Sequence, residues 1–306
     1  MTAKYTASST LFYQWHQYRC AYNVSQIDHS PLEEPSLFLI HPIGVGLSRV
    51  FWQRFSQEWY QQGNTNTIYN PDLLGCGESD KPRIAYNPED WAEQLRYFLQ
   101  NVVKKPVIVI VQGALFPVAI ELVKIEPNLI AGAILAGPPA WKIMTNDIPE
   151  SRKKVIWNIL DSPVGNLFYR YARREQFLEN FSTLQLFGSS ENVDKEWLQT
   201  LEAGAADMST RHGVFSFLAG FWRKDYAQDI AAIDKPVLVV FGEAASSINK
   251  MGEAETPDQR VQKYAEVLPQ GRSIKIPGRN VLPYESTTEF VGAIAPFVKE
   301  LSMTNT

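Results

Sequence analysis

Short β-branched runs that are apolar at almost every position constrain this chain more than any other feature. SLFLIH (36–41), VIVIV (107–111), AGAILAG (131–137) and VLVVF (237–241) leave hardly a polar position. A strand carries such a run only where helices cover both faces of its sheet, the situation of a parallel sheet. TIYN (67–70) and SIKI (273–276) add two shorter runs. Between them lie stretches with helical spacing: VFWQRFSQEWYQQ (50–62), PEDWAEQLRYFLQNVV (88–103) and LFPVAIELVKIEP (115–127). Alternating strands and helices predict an α/β fold with a mostly parallel, doubly wound sheet. The aromatic and β-branched FYQWHQYRCAYNV (12–24) predicts an antiparallel hairpin ahead of it.

From 140 to 232 the strand signal stops and helical spacing replaces it. Phe168, Tyr171, Leu178, Phe181 and Leu184 form one apolar stripe; Val214, Phe217, Leu218, Phe221 and Trp222 form another, at i, i+3, i+4, i+7, i+8. Both are expected to build the core of an inserted helical lid. The chain therefore divides into a first core part (1–139), a lid (140–232) and a second core part (233–306). Open α/β sheets bind ligands at the carboxyl ends of their strands, where such a lid would sit. With 306 residues, 45% of them apolar, there is material for a large core. A net charge of −4 without long basic runs gives no electrostatic footprint for nucleic acid or an anionic membrane, so a small molecule is the expected partner, and a protein partner stays unspecified. Two cysteines, the lack of a basic-then-apolar start and the lack of a spanning segment point to a cytoplasmic protein. No metal or cofactor motif is present, and none is expected.

The order of these segments resembles the α/β-hydrolase superfamily, with a helical cap of the haloalkane-dehalogenase-like and esterase-like kind, over nearly the whole chain. IHPIGVGLS (40–48) matches the oxyanion loop, PDLLGCGESDKP (71–82) the Asp-Leu-x-Gly-x-Gly-x-Ser loop, and VIVIVQGALFPVAIEL (107–122) the nucleophile strand, turn and helix. PVLVVFGEAA (236–245) and IPGRNVLPYESTTEF (276–290) match the acid strand and the histidine loop. The combination of HPIGVGLS, VQGALFP and NVLPYES is also similar to a cyanobacterial group.

What the resemblance implies about chemistry is an absence. Serine-hydrolase catalysis needs a nucleophile on the strand-to-helix turn, then a carboxylate, then a histidine, in that chain order. The three positions fall on Gly113, Ala245 and Asn280. Glu243 stands two residues early for the acid, and PPAW after AGAILAG is equally empty. The histidines are His16, His29, His41 and His212, so none follows 212 and no alignment is needed to exclude the last triad member. Asn280 can hydrogen-bond a ligand but cannot take and return a proton.

Other residues carry weaker expectations. The N–H groups of Ile43 and Ala114 would flank an oxyanion hole, with Pro117 in the first turn of the helix behind them. Ile43, Gly113, Ala114 and Asn280 are thus the expected ligand-binding positions, with no catalytic residue. His41 is expected to hold its loop. His212, with Asp207 and Asp225 nearby in sequence, is expected to be a cap or surface residue more than a rescue base. Cys76 is expected to pack, Ser246 and Ser247 to form a turn, and Trp141, Trp157 and Trp222 to be spare aromatics for a pocket. The leading expectation is a non-hydrolytic receptor, carrier or regulator of a small apolar ligand. The alternative is a triad-independent enzyme such as a cofactor-free lyase, isomerase or oxygenase, and an interaction module comes third.

Overall fold

The computed structural model describes residues 9–27 and 34–304; His29 lies outside the described residues. β1 (Leu11–Trp15) and β2 (Tyr18–Ser25) form the expected antiparallel hairpin, turning at His16 with φ +51°. β3 (Ser36–Ile40), β4 (Ile68–Pro71), β5 (Val107–Gln112), β6 (Ile130–Ala136), β7 (Val237–Gly242) and β8 (Gly271–Ile276) complete one sheet of order β1-β2-β4-β3-β5-β6-β7-β8. From β4 to β8 every neighbour pairs in parallel, as the all-apolar runs require.

The reason for those runs is visible in β5. Successive side chains point to opposite faces, so Val107, Val109 and Val111 join one core layer and Ile108 and Ile110 the other. α2 (Pro88–Phe98) and α3 (Phe116–Ile125) cover the first layer with Trp91, Leu95, Phe98, Val118 and Leu122. On the second, α1 (Gln53–Gln61) and, further along the chain, residues 287–304 supply Phe55, Trp59, Phe290 and Ile294. Each such side chain contributes about 1.5–3 kcal/mol by leaving water. Asn87 starts α2 by accepting the Asp90 N–H, with Pro88 just inside.

No strand lies between β6 and β7. That stretch holds α4 (Trp141–Met144), α5 (Glu150–Leu160), α6 (Pro163–Ala172), α7 (Glu175–Phe181), α8 (Lys195–Gly204), α9 (Arg211–Ala219) and α10 (Ala227–Ala231). α11 (Pro257–Val267), α12 (Leu282–Glu285) and α13 (Thr287–Thr304) follow. Among the described residues no helix is long and apolar enough to cross a membrane.

The inserted helices correct both stripes. In the first, only Leu178 is buried; Phe168, Tyr171, Phe181 and Leu184 face outward. In the second, α9 stops at Ala219 because Gly220 takes the left-handed conformation, φ +86°, that ends helices. Phe221 and Trp222 therefore lie beyond the helix, and Leu218 is exposed. The small core these helices do build is Tyr169, Val214 and Phe215, with Val45 of the β3–α1 loop packed into it.

Two contacts seat the inserted helices on the sheet edge. Gly46, at φ +77°, lies so close to α8 that a Cβ there would overlap the Leu201 backbone. Beside it, Arg54 of α1 reaches Asp194 (2.7 Å) and Glu196 (2.6 Å) at the start of α8 and stacks over Tyr284.

Candidate functional site

β5 ends and α3 begins through a single tight turn at Gly113, with φ +63°. That left-handed conformation costs a side-chain-bearing residue about 1–3 kcal/mol and glycine nothing. A Cβ at 113 would meet no heavy atom within 4 Å beyond its chain neighbours, so open space lies over the turn. Pro117 sits in the first turn of α3, where its missing N–H costs nothing.

Parallel pairing of Ile40 with Val111 brings the loop that starts at His41 alongside this turn, and Ile43 and Ala114 pack against the same core layer. Ile43, Gly113, Ala114 and Asn280 are all partly exposed. His41 is fully buried: its Nδ1 donates to the Pro42 carbonyl (2.7 Å) and its Nε2 accepts the Leu73 N–H (3.1 Å). An imidazole that accepts a backbone N–H has no proton on that nitrogen, so His41 is neutral and ties its loop to the one after β4.

The β7 loop and the loop after β8 close the site from the other side. Ala245 is buried, and Glu243 is exposed. Both ends of the Asn280 amide are engaged: Nδ2 donates to the Gln185 carbonyl (2.7 Å) and Oδ1 accepts the Ser246 N–H (3.3 Å). The Asn280 N–H donates to Leu186. Asn280 therefore pins the segment after α7 to the β7 loop.

Four residues that sequence reasoning passed over organise this region. Gln112, just before the turn, is buried and donates from Nε2 to the Asn280 carbonyl (2.6 Å). Flipping the amide would set oxygen against oxygen, so Oε1 must point away, and it has no partner among the described residues. Arg279 donates to Ser246 Oγ (2.7 Å) and the Leu184 carbonyl (2.6 Å). Arg260, buried, donates to the backbone carbonyls of Ser246, Gly252 and Glu255 and so fixes the β7 loop. Arg49, buried, pairs with buried Asp72 of the Asp-Leu-x-Gly motif. An isolated arginine gives no periodic signal, although Arg279 stands within the segment matched to the histidine loop and Arg49 directly follows the one matched to the oxyanion loop.

His212 is not the surface residue expected. It is buried in the first turn of α9, neither ring nitrogen has a hydrogen-bond partner, and its nearest carboxylate is Asp161 at 3.8 Å. Asp207 instead caps the turn before α9 and pairs with Lys81, while Asp225 accepts the Ala227 N–H. Cys76 is buried, and burial pushes its thiol up, as it pushes Cys20 up to about 12. Trp222 belongs to the main core, stacked on Phe217. Trp157 packs by His212, and Trp141 packs edge-on against Tyr264. Cavities of about 430 Å³ beside Trp15, His16 and Tyr97, and about 520 Å³ beside Asn64, Val298 and Met303, touch none of the turn residues.

Burial holds both His41 and His212 below the ordinary histidine value of 6.5, the latter with Arg211 adding to the effect. The unfolded chain then binds protons that the native state refuses, so stability falls as pH drops below about 6.5 towards the native values. His212→Leu, which removes two unpaired nitrogens at similar volume, should flatten that acid limb and leave stability at neutral pH unchanged or higher. Urea midpoints measured at several pH values check this; an unaltered acid limb would refute the assignment for His212.

Similarity to known proteins agrees with this architecture. Residues 37–293 match the model of the alpha/beta hydrolase family. The "Putative non-heme chloroperoxidase" of Synechocystis sp. is 26% identical over 243 residues, 77% of this chain and 83% of that protein. A Mycobacterium tuberculosis protein is 26% identical over 151 residues, 49% of this chain; the match spans 39% of that relative's length. In structure, a thermophilic esterase from Thermogutta terrifontis superposes with a TM-score of 0.70 at 16% identity, over 96% of this chain and 100% of that one. With the eight-stranded sheet and the turn at Gly113, the match across 37–293 makes this chain a member of the alpha/beta hydrolase family.

Proposed function

We propose that this family member binds a small, largely apolar molecule over the turn at Gly113 and performs no nucleophilic hydrolysis there. The observation that carries the reading is the open space above a turn whose residue offers no hydroxyl, thiol or carboxylate. Gly113, Ala245 and Asn280 stand at the nucleophile, acid and histidine positions, and Asn280 is committed to holding loops together. The polar features left to a ligand are the N–H groups of Ile43 and Ala114. Residues 140–232 act as the lid, and 1–139 with 233–306 as the core. The second reading is triad-independent catalysis at the same turn. It is favoured by the enzyme name carried by the Synechocystis relative.

Neither the parent protein nor Gly113→Ser should react with a serine-directed fluorophosphonate, because no histidine is present at 280 to activate a hydroxyl. Intact-mass measurement after labelling decides it, and a stoichiometric adduct on any serine would end the proposal. Native mass spectrometry of the purified protein tests the binding half. A co-purifying small molecule lost from Ala114→Leu supports it; a ligand-free parent, with Ala114→Leu destabilised by about 1–3 kcal/mol as a packed core would be, refutes it.

A further inference from the structure

The outward face of α5 and α6 is the largest departure from what the sequence led one to expect. Val164, Leu167, Phe168 and Tyr171 recur at i, i+3, i+4, i+7 on α6, and Val155 and Ile159 at i, i+4 on α5. All are exposed, Leu167 by 70%, Val164 by 69% and Ile159 by 56%. The opposite face of α6, Gly165, Tyr169 and Ala172, is the one buried against the inserted helices. α6 thus has two apolar faces, and nothing among the described residues covers the larger.

Charge says what could cover it. Residues 150–174 carry six Lys or Arg against two Asp or Glu, a net of +4 within a chain whose net charge is −4. Arg152, Lys154, Arg170 and Arg174 are exposed and form no ion pair among the described residues. A second copy meeting this face would set +4 against +4, which works against self-association.

The spacing is also informative. α5 and α6 are joined by the two residues Asp161 and Ser162, with Ser162 capping α6 and Pro163 opening it. The exposed apolar residues run from Val155 to Ile159 on α5 and from Val164 to Tyr171 on α6, and Lys154 and Arg170 stand next in sequence to Val155 and Tyr171, so cations border the apolar face along both helices. Interfacial helices bury their apolar residues roughly 5–10 Å into the boundary between headgroups and acyl chains, with Lys and Arg left at headgroup level.

We infer that the paired helices α5 and α6 dock on an anionic lipid surface, their exposed apolar face entering the acyl boundary while Arg152, Lys154, Arg170 and Arg174 meet the headgroup phosphates. This stands apart from the chemistry at Gly113 and does not depend on it.

Co-sedimentation with vesicles tests it. The protein should pellet with equal phosphatidylglycerol and phosphatidylcholine, stay in the supernatant with phosphatidylcholine alone, and be released at about 0.5 M salt, where the Debye length shrinks below headgroup spacing. Arg170→Gln with Arg174→Gln should lower partitioning about 25-fold, near fivefold for each cation. Val164→Asp with Leu167→Asp should abolish it. All four positions are exposed, so melting temperatures should match the parent. Equal binding to both vesicle types, or no binding to either, overturns the proposal. So does a protein that ignores vesicles but self-associates, or that captures an acidic polypeptide, through the same four residues.

Discussion

Arg49→Met is expected to destabilise the protein by about 3–5 kcal/mol, because it leaves a fully buried carboxylate without its cation. Asp72 has no solvent-exposed surface; it accepts the Arg49 N–H (2.9 Å) and the Glu78 N–H (2.8 Å) and pairs with the Arg49 guanidinium. The same guanidinium reaches Glu78 and Thr10, so one side chain joins the segment before β1, the loop after β3 and the loop after β4. Removing both charges should be milder than removing one. Arg49→Met with Asp72→Asn is expected to recover part of the loss, since the amide carries no charge to desolvate and its oxygen still accepts one of the two N–H groups, which bond different oxygens of Asp72. Denaturant midpoints of the three variants form the measurement. A single-variant loss under 1 kcal/mol would mean that water, not Arg49, solvates Asp72.

Gly46→Val is expected to be comparably severe, at about 3–5 kcal/mol, from left-handed backbone strain together with overpacking. Its location makes the failure specific. The new side chain would strike the Leu201 backbone of α8, whose own Gly204 lies against the Gly46 carbonyl. The sheet, which Gly46 does not touch, should survive. Limited proteolysis should therefore cut first between 141 and 231 in the variant, while the fragments carrying β3 to β6 persist. Uniform digestion of the whole chain would show that the inserted helices and the sheet unfold as one unit.

The sheet was legible because its central strands need apolar residues on both faces, and a run such as VIVIV has no other stable home. The turn at Gly113 was equally legible, as it stands between such a strand and the apolar α3. The inserted helices were harder to read for a physical reason. Helical spacing reveals that a face is apolar but not which way it points, and α6 has apolar residues on both sides: Tyr169 turned inward, Leu167 outward. Whole-chain charge misled in the same way, since −4 overall conceals +4 between 150 and 174. His212 read as a cap or surface residue because a lone histidine near a helix start usually is one, whereas α9 is buried almost all round its first turn, His212 and Gly213 together with Val214 and Phe215. The duties of Asn280 and Arg279 could not be read at all. Their partners are backbone carbonyls of residues 184 and 185, about 95 positions earlier, and a carbonyl has no sequence signature.

That long separation sets the order in which the molecule can be finished on the ribosome. Gln185 and Leu184 emerge first and cannot be fastened until Asn280 and Arg279 follow; at ~5–20 residues per second, those 95 positions take roughly 5–20 s of synthesis. Asp194 waits likewise for Tyr284, and the Gly188 N–H for the Glu285 carboxylate. For that interval the nascent chain carries helices whose partner loops do not yet exist, with Phe181 and Leu184 already facing outward beside them. Holdase chaperones that recognise apolar segments would therefore find this protein during translation in the stretch 175–192, and a ribosome stalled before codon 279 should leave that stretch the most protease-sensitive part of the chain.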